Sequence, residues 1–312
     1  FLNSLSHCVI VEMYRMNPGK ISLHKVTETT EPVFSILIPS WNNLPILKIC
    51  VEAIRKNSTY HHQVIVHANQ ATDGTLEWLT ENNISYTHSV ENAGVCYGFN
   101  APYSLADSDL ICLIDDDMYV CPGWDKALLD EIRKQDDHYY CISGTLIQPH
   151  VTSYNCVIGP HNFGRNASEF KEKELLEMFD KVPFDDWNGC NWYPMVIHRR
   201  TWDLMGGLST EFSPGMYSDP DFMMKLWHMG VRYFKGVSAS RAYHFLSLST
   251  SRVKKNNGRK QFLFKWGISS STFFKYYLRI GTRFNGPLRE PENTAAFRWN
   301  VFRNKLNRIL AH

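Results

Sequence analysis

Between Val33 and Ile114 the chain alternates strand-like and helix-like segments, and this pattern narrows the fold more than any other feature. Val33-Phe34-Ser35-Ile36-Leu37-Ile38-Pro39 reads as a buried strand closed by proline, and Leu44 to Asn57 spaces its apolar residues as a helix does. Gln63 to His67 is a second strand. Thr72-Asp73-Gly74 then supplies turn and N-cap chemistry for a helix running through Leu79. A short strand at Ile84 to Thr87 and a helix from about Gly98 to Ala106 lead into the strand Leu110 to Ile114. Strands that alternate with helices imply a mostly parallel sheet flanked by helices, an α/β fold that takes its ligands at the carboxyl ends of the strands.

The second half is less regular. It predicts strands near Cys141 to Gly144, Pro194 to Ile197 and Val231 to Phe234, and a helix from about Asp219 to Met229 with Gly230 as its C-cap. After about Asn256 aromatic and basic residues dominate, in helical segments broken at Gly281 and at Gly286-Pro287. The expected organisation is an N-terminal extension over 1–32, a catalytic α/β domain over 33–248 and a basic, mostly helical extension over 249–312. A chain of 312 residues is long enough for that core.

The strand Leu110 to Ile114 runs straight into Asp115-Asp116-Asp117. Aspartate is a poor strand residue, and adjacent like charges repel, so a positive partner is expected there. Strand alternation sends Asp115 and Asp117 to one face and Asp116 to the other. Carboxylate oxygens suit Mg²⁺ or Mn²⁺. A surface turn in which the aspartates cap the next segment is the alternative. A second acidic pair, Asp219 and Asp221, opens a helix, where capping and the helix dipole would favour carboxylates in any case. The other reading is that one of them takes a proton from a substrate hydroxyl. His244, in Arg241-Ala242-Tyr243-His244-Phe245, is a candidate metal ligand or a structural histidine.

Net charge is only +2, but from Arg252 onward 14 Lys and Arg face two Glu, about +12, which leaves the remainder near −10. Such a basic tail is a solvated helical face, or a contact for anionic lipid as at the inner face of a membrane, for a polyanionic acceptor or for a diphosphate. No apolar run approaches the roughly 18 residues of a membrane span, and nothing in the sequence calls for nucleic acid. The eight cysteines are scattered without a C-x-x-C pair, and they read as reduced core residues of a cytoplasmic protein. The chain begins at Phe1, so an upstream signal or anchor stays open.

An ordered set of motifs from about Phe34 to His244 resembles the inverting glycosyltransferases of family 2, which have the nucleotide-sugar-binding, Rossmann-like GT-A fold. Phe34 to Asn42 resembles the opening strand and its loop, with Pro39 and Trp41. Thr72-Asp73-Gly74-Thr75 resembles the turn after the second strand, and Glu91-Asn92-Ala93-Gly94 with Gly98 and Asn100 the segment lining the nucleotide pocket. Asp115-Asp116-Asp117 stands at the family's D-x-D, and Trp202 to Leu208 resembles the helix and glycine turn before the acidic motif.

The resemblance implies a Mn²⁺ or Mg²⁺ cofactor, a nucleotide-sugar donor with UDP as the default, and a saccharide or lipid-linked acceptor, as in surface polysaccharide or glycan synthesis. It implies donor contacts at Pro39, Trp41, Asn69, Asp73, Asn92, Gly94, Asp115 and Asp116, metal ligation by Asp117 and His244, and Asp219 as general base with Asp221 in support. Asp115 would contact the ribose. An aspartate with the usual pKa of about 4 is too weak to deprotonate an alcohol beforehand, so proton transfer would accompany attack.

Two positions depart from the family pattern. Ala68-Asn69 stands where an acidic residue is common, and Ser218 where Glu usually precedes the base. Trp187, Asn191 and Trp192 are candidates for contacts with acceptor or donor sugar, with core packing as the alternative for the aromatics, and Tyr193 is a further aromatic beside them. Arg252 and Lys254 are candidates for a lid over the diphosphate. Phe262 to Tyr277 suits a helix packed on the domain more than a membrane contact. A sugar nucleotidyltransferase is the nearest rival, but Pro39 to Asn43 lacks the glycine-rich, basic loop it would need. A catalytically idle carbohydrate-binding protein is the other.

Overall fold

Continuous apolar runs become central strands because both of their faces must be covered. The computed structural model describes residues 20–246 and 256–310. Its first five strands are β1 (Ile21–His24), β2 (Ser35–Ser40), β3 (Gln63–Asn69), β4 (Ser85–Ser89) and β5 (Leu110–Leu113). Strands β4, β3, β2 and β5 lie side by side and parallel in that order, linked by α1 (Leu44–Asn57), α2 (Thr75–Glu81) and α3 (Gly94–Tyr103). Ile36, Leu37, Ile38, Ile65 and Val66 are fully buried. Part of the expected N-terminal extension joins this sheet, since β1 pairs antiparallel with β4 and forms its edge.

Helix α3 starts four residues before the predicted Gly98, at Gly94, which takes a left-handed φ of 76° while the Asn92 side chain accepts its N–H. Gly98 lies where a Cβ would come within 2.7 Å of the Pro39 Cβ, so its lack of a side chain lets α3 sit against the carboxyl end of β2.

The second half adds β6 (Met118–Val120), α4 (Trp124–Ile132), β7 (Tyr140–Ile147), β8 (Val157–Ile158), α5 (Glu172–Met178), β9 (Trp187–Asn188), β10 (Met195–His198), α6 (Arg199–Met205), α7 (Ser218–His228) and β11 (Tyr233–His244). The sheet continues from β5 in the order β10, β7, β11, β6, and here antiparallel pairs enter: β10 with β5 and β7, and β11 with β6. Strand β11 is three times the predicted length. Lys235, Ser238, Ser240 and Arg241 interrupt its apolar pattern, and a register shift between Val237 and Arg241 breaks its period. The two charged residues find partners distant in sequence. Lys235 lies between Glu131 (3.0 Å) and Asp186 (2.9 Å), and Arg241 donates to the carbonyl of Val182 at 2.7 Å.

Beyond β11 come α8 (Gly258–Trp266), α9 (Ser270–Thr272) leading into a π-helical turn at Phe273–Leu278, and α10 (Ala295–Leu310). Phe262 and Phe273 are fully buried, so this aromatic stretch packs on the domain. The boundary expected at residue 248 and the lid candidates Arg252 and Lys254 lie outside the described residues.

Candidate active site

The aspartate cluster stands where the parallel strands end, beside the carboxyl end of β2. Ile114 donates its backbone N–H to Leu37, and the Ser40 hydroxyl donates to Asp116 Oδ2 at 2.7 Å. Asp116 is therefore tied to β2, while its neighbours are joined to the second half of the chain. Strand β11 pairs with β6 so that His244 stands opposite Met118, and Phe245 donates its N–H to the Asp117 carbonyl at 3.0 Å. This register sets His244 Nε2 at 3.4 Å from Asp117 Oδ1. Two residues separated by more than a hundred positions thus meet because β11 runs its full length.

The link to Asp219 follows from a second antiparallel pairing. Strand β10 lies against β5 with Met195 opposite Leu113, and just before β10 Tyr193 comes close enough to Asp115 to feel its charge. The Tyr193 hydroxyl donates to Asp219 Oδ1 at 3.0 Å. Asp219 lies in the first turn of α7, whose N-cap residue is Tyr217. Burial pushes the Asp219 carboxyl above its usual range, against the hydrogen bonds from Tyr193 and Ser218. Burial, then the charges of Asp117, Asp219 and Asp116, push the Asp115 carboxyl well up. Burial and the charges of Asp219 and Asp115 likewise raise the Tyr193 phenol. The three acidic and histidine elements predicted from sequence are brought into one electrostatic site.

Asp221 does not face this site. It is fully buried, and its Oδ1 accepts from Trp266 Nε1 (2.8 Å) and from Lys265 Nζ (2.8 Å). Residues two apart on a helix point roughly 200° away from each other, so α7 turns Asp219 to the cluster and Asp221 to α8. The supporting catalytic role expected for Asp221 gives way to an ion pair that docks α8.

Several donor-site candidates serve the loops themselves. Asn69 is 7% exposed, and its Oδ1 accepts from Ser89 and from the Ala93 N–H, while its Nδ2 donates to Asn92 Oδ1. Asn69 and Asn92 clamp the loop before α3. Asp73 accepts from the Leu44 N–H through one oxygen and from Thr75 through the other, which joins the amino ends of α1 and α2. Trp41 Nε1 donates to Gln70 Oε1 at 3.2 Å, bridging the loops after β2 and β3.

Trp187 takes the core-packing alternative. It is 1% exposed, donates to Thr145 Oγ1 at 2.9 Å and lies opposite Gly236, eight residues before His244 on β11. Trp192 donates to Cys156 Sγ at 3.2 Å, and Asn191 is buried with its Oδ1 unpartnered. The seven described cysteines are buried and free, with Cys141 and Cys190 in thiol contact at 3.2 Å. A cleft of about 350 Å³ bordered by Glu28, Arg55, His61 and Asn83 lies at the amino ends of β3 and β4, the wrong end of the sheet for this chemistry.

Sequence reasoning missed Tyr193 as the partner of Asp219 and Ser40 as the partner of Asp116. Both were in view as motif residues, but their roles depend on strand pairings.

The order of strands and the acidic loop at their carboxyl ends define a GT-A fold. Residues 35–200 match the profile described as Glycosyl transferase family 2, more than half of the chain, and the protein belongs to that family. Among solved structures it is similar to Staphylococcus aureus TarS, with a TM-score of 0.51 and 13% identity over 89% of this chain and 43% of that one. It is also similar to GalNAc-T7, solved with UDP, GalNAc and Mn²⁺, with a TM-score of 0.54 and 14% identity over 78% of this chain and 50% of that one. Among curated proteins it is 23% identical over 239 residues to the uncharacterized protein y4gI of Sinorhizobium fredii (strain NBRC 101917 / NGR234). That match covers 68% of this chain and 25% of the relative, so the chain spans about a quarter of its length.

Proposed function

We propose that the protein is an inverting, metal-dependent glycosyltransferase that moves a sugar from a nucleoside diphosphate donor, a UDP-sugar by default, to a hydroxyl of a saccharide or lipid-linked acceptor. The observation that carries the reading is the meeting of Asp117 with His244 at the strand ends, with Asp219 held by Tyr193 beside Asp115. Family membership supports the donor class, and a neighbour solved with UDP and Mn²⁺ supports the cofactor.

The residues fit a hard divalent cation. Ligands each about 2.1 Å from one ion lie roughly 3.0–3.5 Å apart, and the Asp117 Oδ1 to His244 Nε2 separation is 3.4 Å. Among the described residues no group of three His, Cys, Asp or Glu is arranged to hold a metal by itself. A pair of protein ligands is the usual provision where substrate phosphates complete the shell, as for Mg²⁺. When bound, such a cation would neutralise the charge that develops on the leaving diphosphate.

The remaining work falls to the chain. Asp219, with its carboxyl raised by burial, is a better base than a solvated aspartate and accepts the acceptor hydroxyl's proton as that oxygen attacks. Tyr193 helps fix its orientation by donating to Oδ1. Asp115 contacts the ribose, and Asp116, held by Ser40, keeps the turn in place.

The test is Asp219→Asn. Calorimetric binding of nucleotide sugar with Mn²⁺ should be retained, while turnover falls by about 10²-fold or more. Wild-type turnover in that variant overturns the base assignment. Absence of nucleoside diphosphate release by the wild type from every donor, with acceptor sugars present, overturns the transferase reading.

A further inference from the structure

Helix α10 docks on the body by one face only. Asn304, 3% exposed, donates to Thr272 Oγ1 at 2.8 Å, Asn300 donates to the Tyr276 hydroxyl at 3.0 Å, and the Phe297 ring packs on Tyr276 at 5.2 Å. At roughly 100° per residue, positions 297, 300 and 304 share one side of the helix. Trp299, Phe302, Leu306, Ile309 and Leu310 fall on the opposite side and are 61%, 50%, 41%, 68% and 81% exposed. Trp299 and Phe302 are in ring contact at 5.7 Å, which makes the strip continuous at its amino end. Scattered single apolar residues on a surface need no explanation, but a contiguous row along one helix face does.

Charge identifies what covers the row. Ala295–Leu310 contains Arg298, Arg303, Lys305 and Arg308 and no acidic residue. On the same helical projection Arg298 and Lys305 flank the apolar strip on one side and Arg303 on the other. Arg308 falls on the docked side, near Gly267, so a second copy of this helix, laid face to face, would bring three more cations against these three. A surface that offers acyl chains beneath a layer of negative headgroups satisfies both features at once. No helix among the described residues is long and apolar enough to cross a membrane, so the helix would lie on the surface.

We propose that α10 is an interfacial helix that seats Trp299, Phe302, Leu306 and Ile309 in the headgroup and acyl boundary of an anionic phospholipid bilayer, with Arg298, Arg303 and Lys305 on the headgroups. The inference goes beyond the glycosyltransferase reading and does not depend on it.

The test is flotation of the whole chain with vesicles of phosphatidylcholine alone or mixed with phosphatidylglycerol, without any nucleotide sugar. The chain should float with the mixed vesicles, less so as salt rises, and stay behind with phosphatidylcholine alone. Trp299→Ser with Phe302→Ser should weaken the association at least tenfold while circular dichroism is unchanged, since both side chains are exposed. Arg303→Glu with Lys305→Glu should weaken it independently. Equal flotation with neutral vesicles, no flotation, or wild-type flotation by either variant overturns the proposal. So does a wild-type dimer in light scattering that the Trp299→Ser, Phe302→Ser variant dissociates, because the strip would then belong to a second copy.

Discussion

His67 makes the stability of this protein depend on pH in a way that can be worked from its surroundings. It lies in the middle of the parallel sheet, fully buried, with Nδ1 at 2.8 Å from Thr87 Oγ1 and Nε2 at 3.2 Å from Ser89 Oγ. Burial, and then the charge of His88, lower its pKa from 6.5 to about 4. The unfolded chain therefore binds a proton near pH 6.5 that the folded chain refuses until about pH 4. Stability from this residue is complete above about pH 6.5 and falls as pH drops towards about 4, by about 3 kcal/mol in all. Asp115 and Asp219 act in the opposite sense, because carboxyls raised by folding gain stability as they protonate. The His67 contribution must then be read as a difference. Urea unfolding of the wild type and of His67→Gln, from about pH 7.5 down to about pH 4, should show the wild type losing about 3 kcal/mol relative to the variant. A difference that stays constant across that window refutes the reasoning, and with it the assignment of His67 as a neutral core residue.

Other perturbations separate structural groups from the proposed chemistry. Gly236→Ala would place a Cβ 1.9 Å from Trp187 Cε2, and displacing that buried indole should cost about 3 kcal/mol, measured as a lower urea midpoint; an unchanged midpoint would show that Trp187 has room to move. Lys265→Met leaves the fully buried Asp221 without its cation and should destabilise by about 3 kcal/mol, while donor affinity at a temperature where the variant is folded stays as in wild type. A large loss of donor affinity instead would return Asp221 to the site.

The first half was readable because its strands are continuous apolar runs and its helices keep a clean period, so α1 was anticipated at its observed ends, Leu44 and Asn57. The second half was not, for physical reasons. Polar residues satisfied by distant partners mask β11, and the antiparallel placement of β10 between β5 and β7 leaves no local trace. At the site, Asp115 to Asp117 announced themselves as charge that folding alone does not need. Tyr193 did not, because its meaning comes from the tertiary pairing that brings it to Asp219 and near Asp115. Asp219 and Asp221 looked equivalent as two carboxylates in one first turn, yet their spacing already held the distinction, since positions two apart on a helix cannot share a face.

The most direct measurement of the central claim is calorimetric binding of UDP with and without Mn²⁺ to the wild type, Asp117→Ala and His244→Ala. Binding in the wild type should depend on Mn²⁺ and each substitution should weaken it at least tenfold, with the folded state retained in both. UDP binding that is indifferent to Mn²⁺, or Mn²⁺-dependent binding that survives both substitutions, would contradict it.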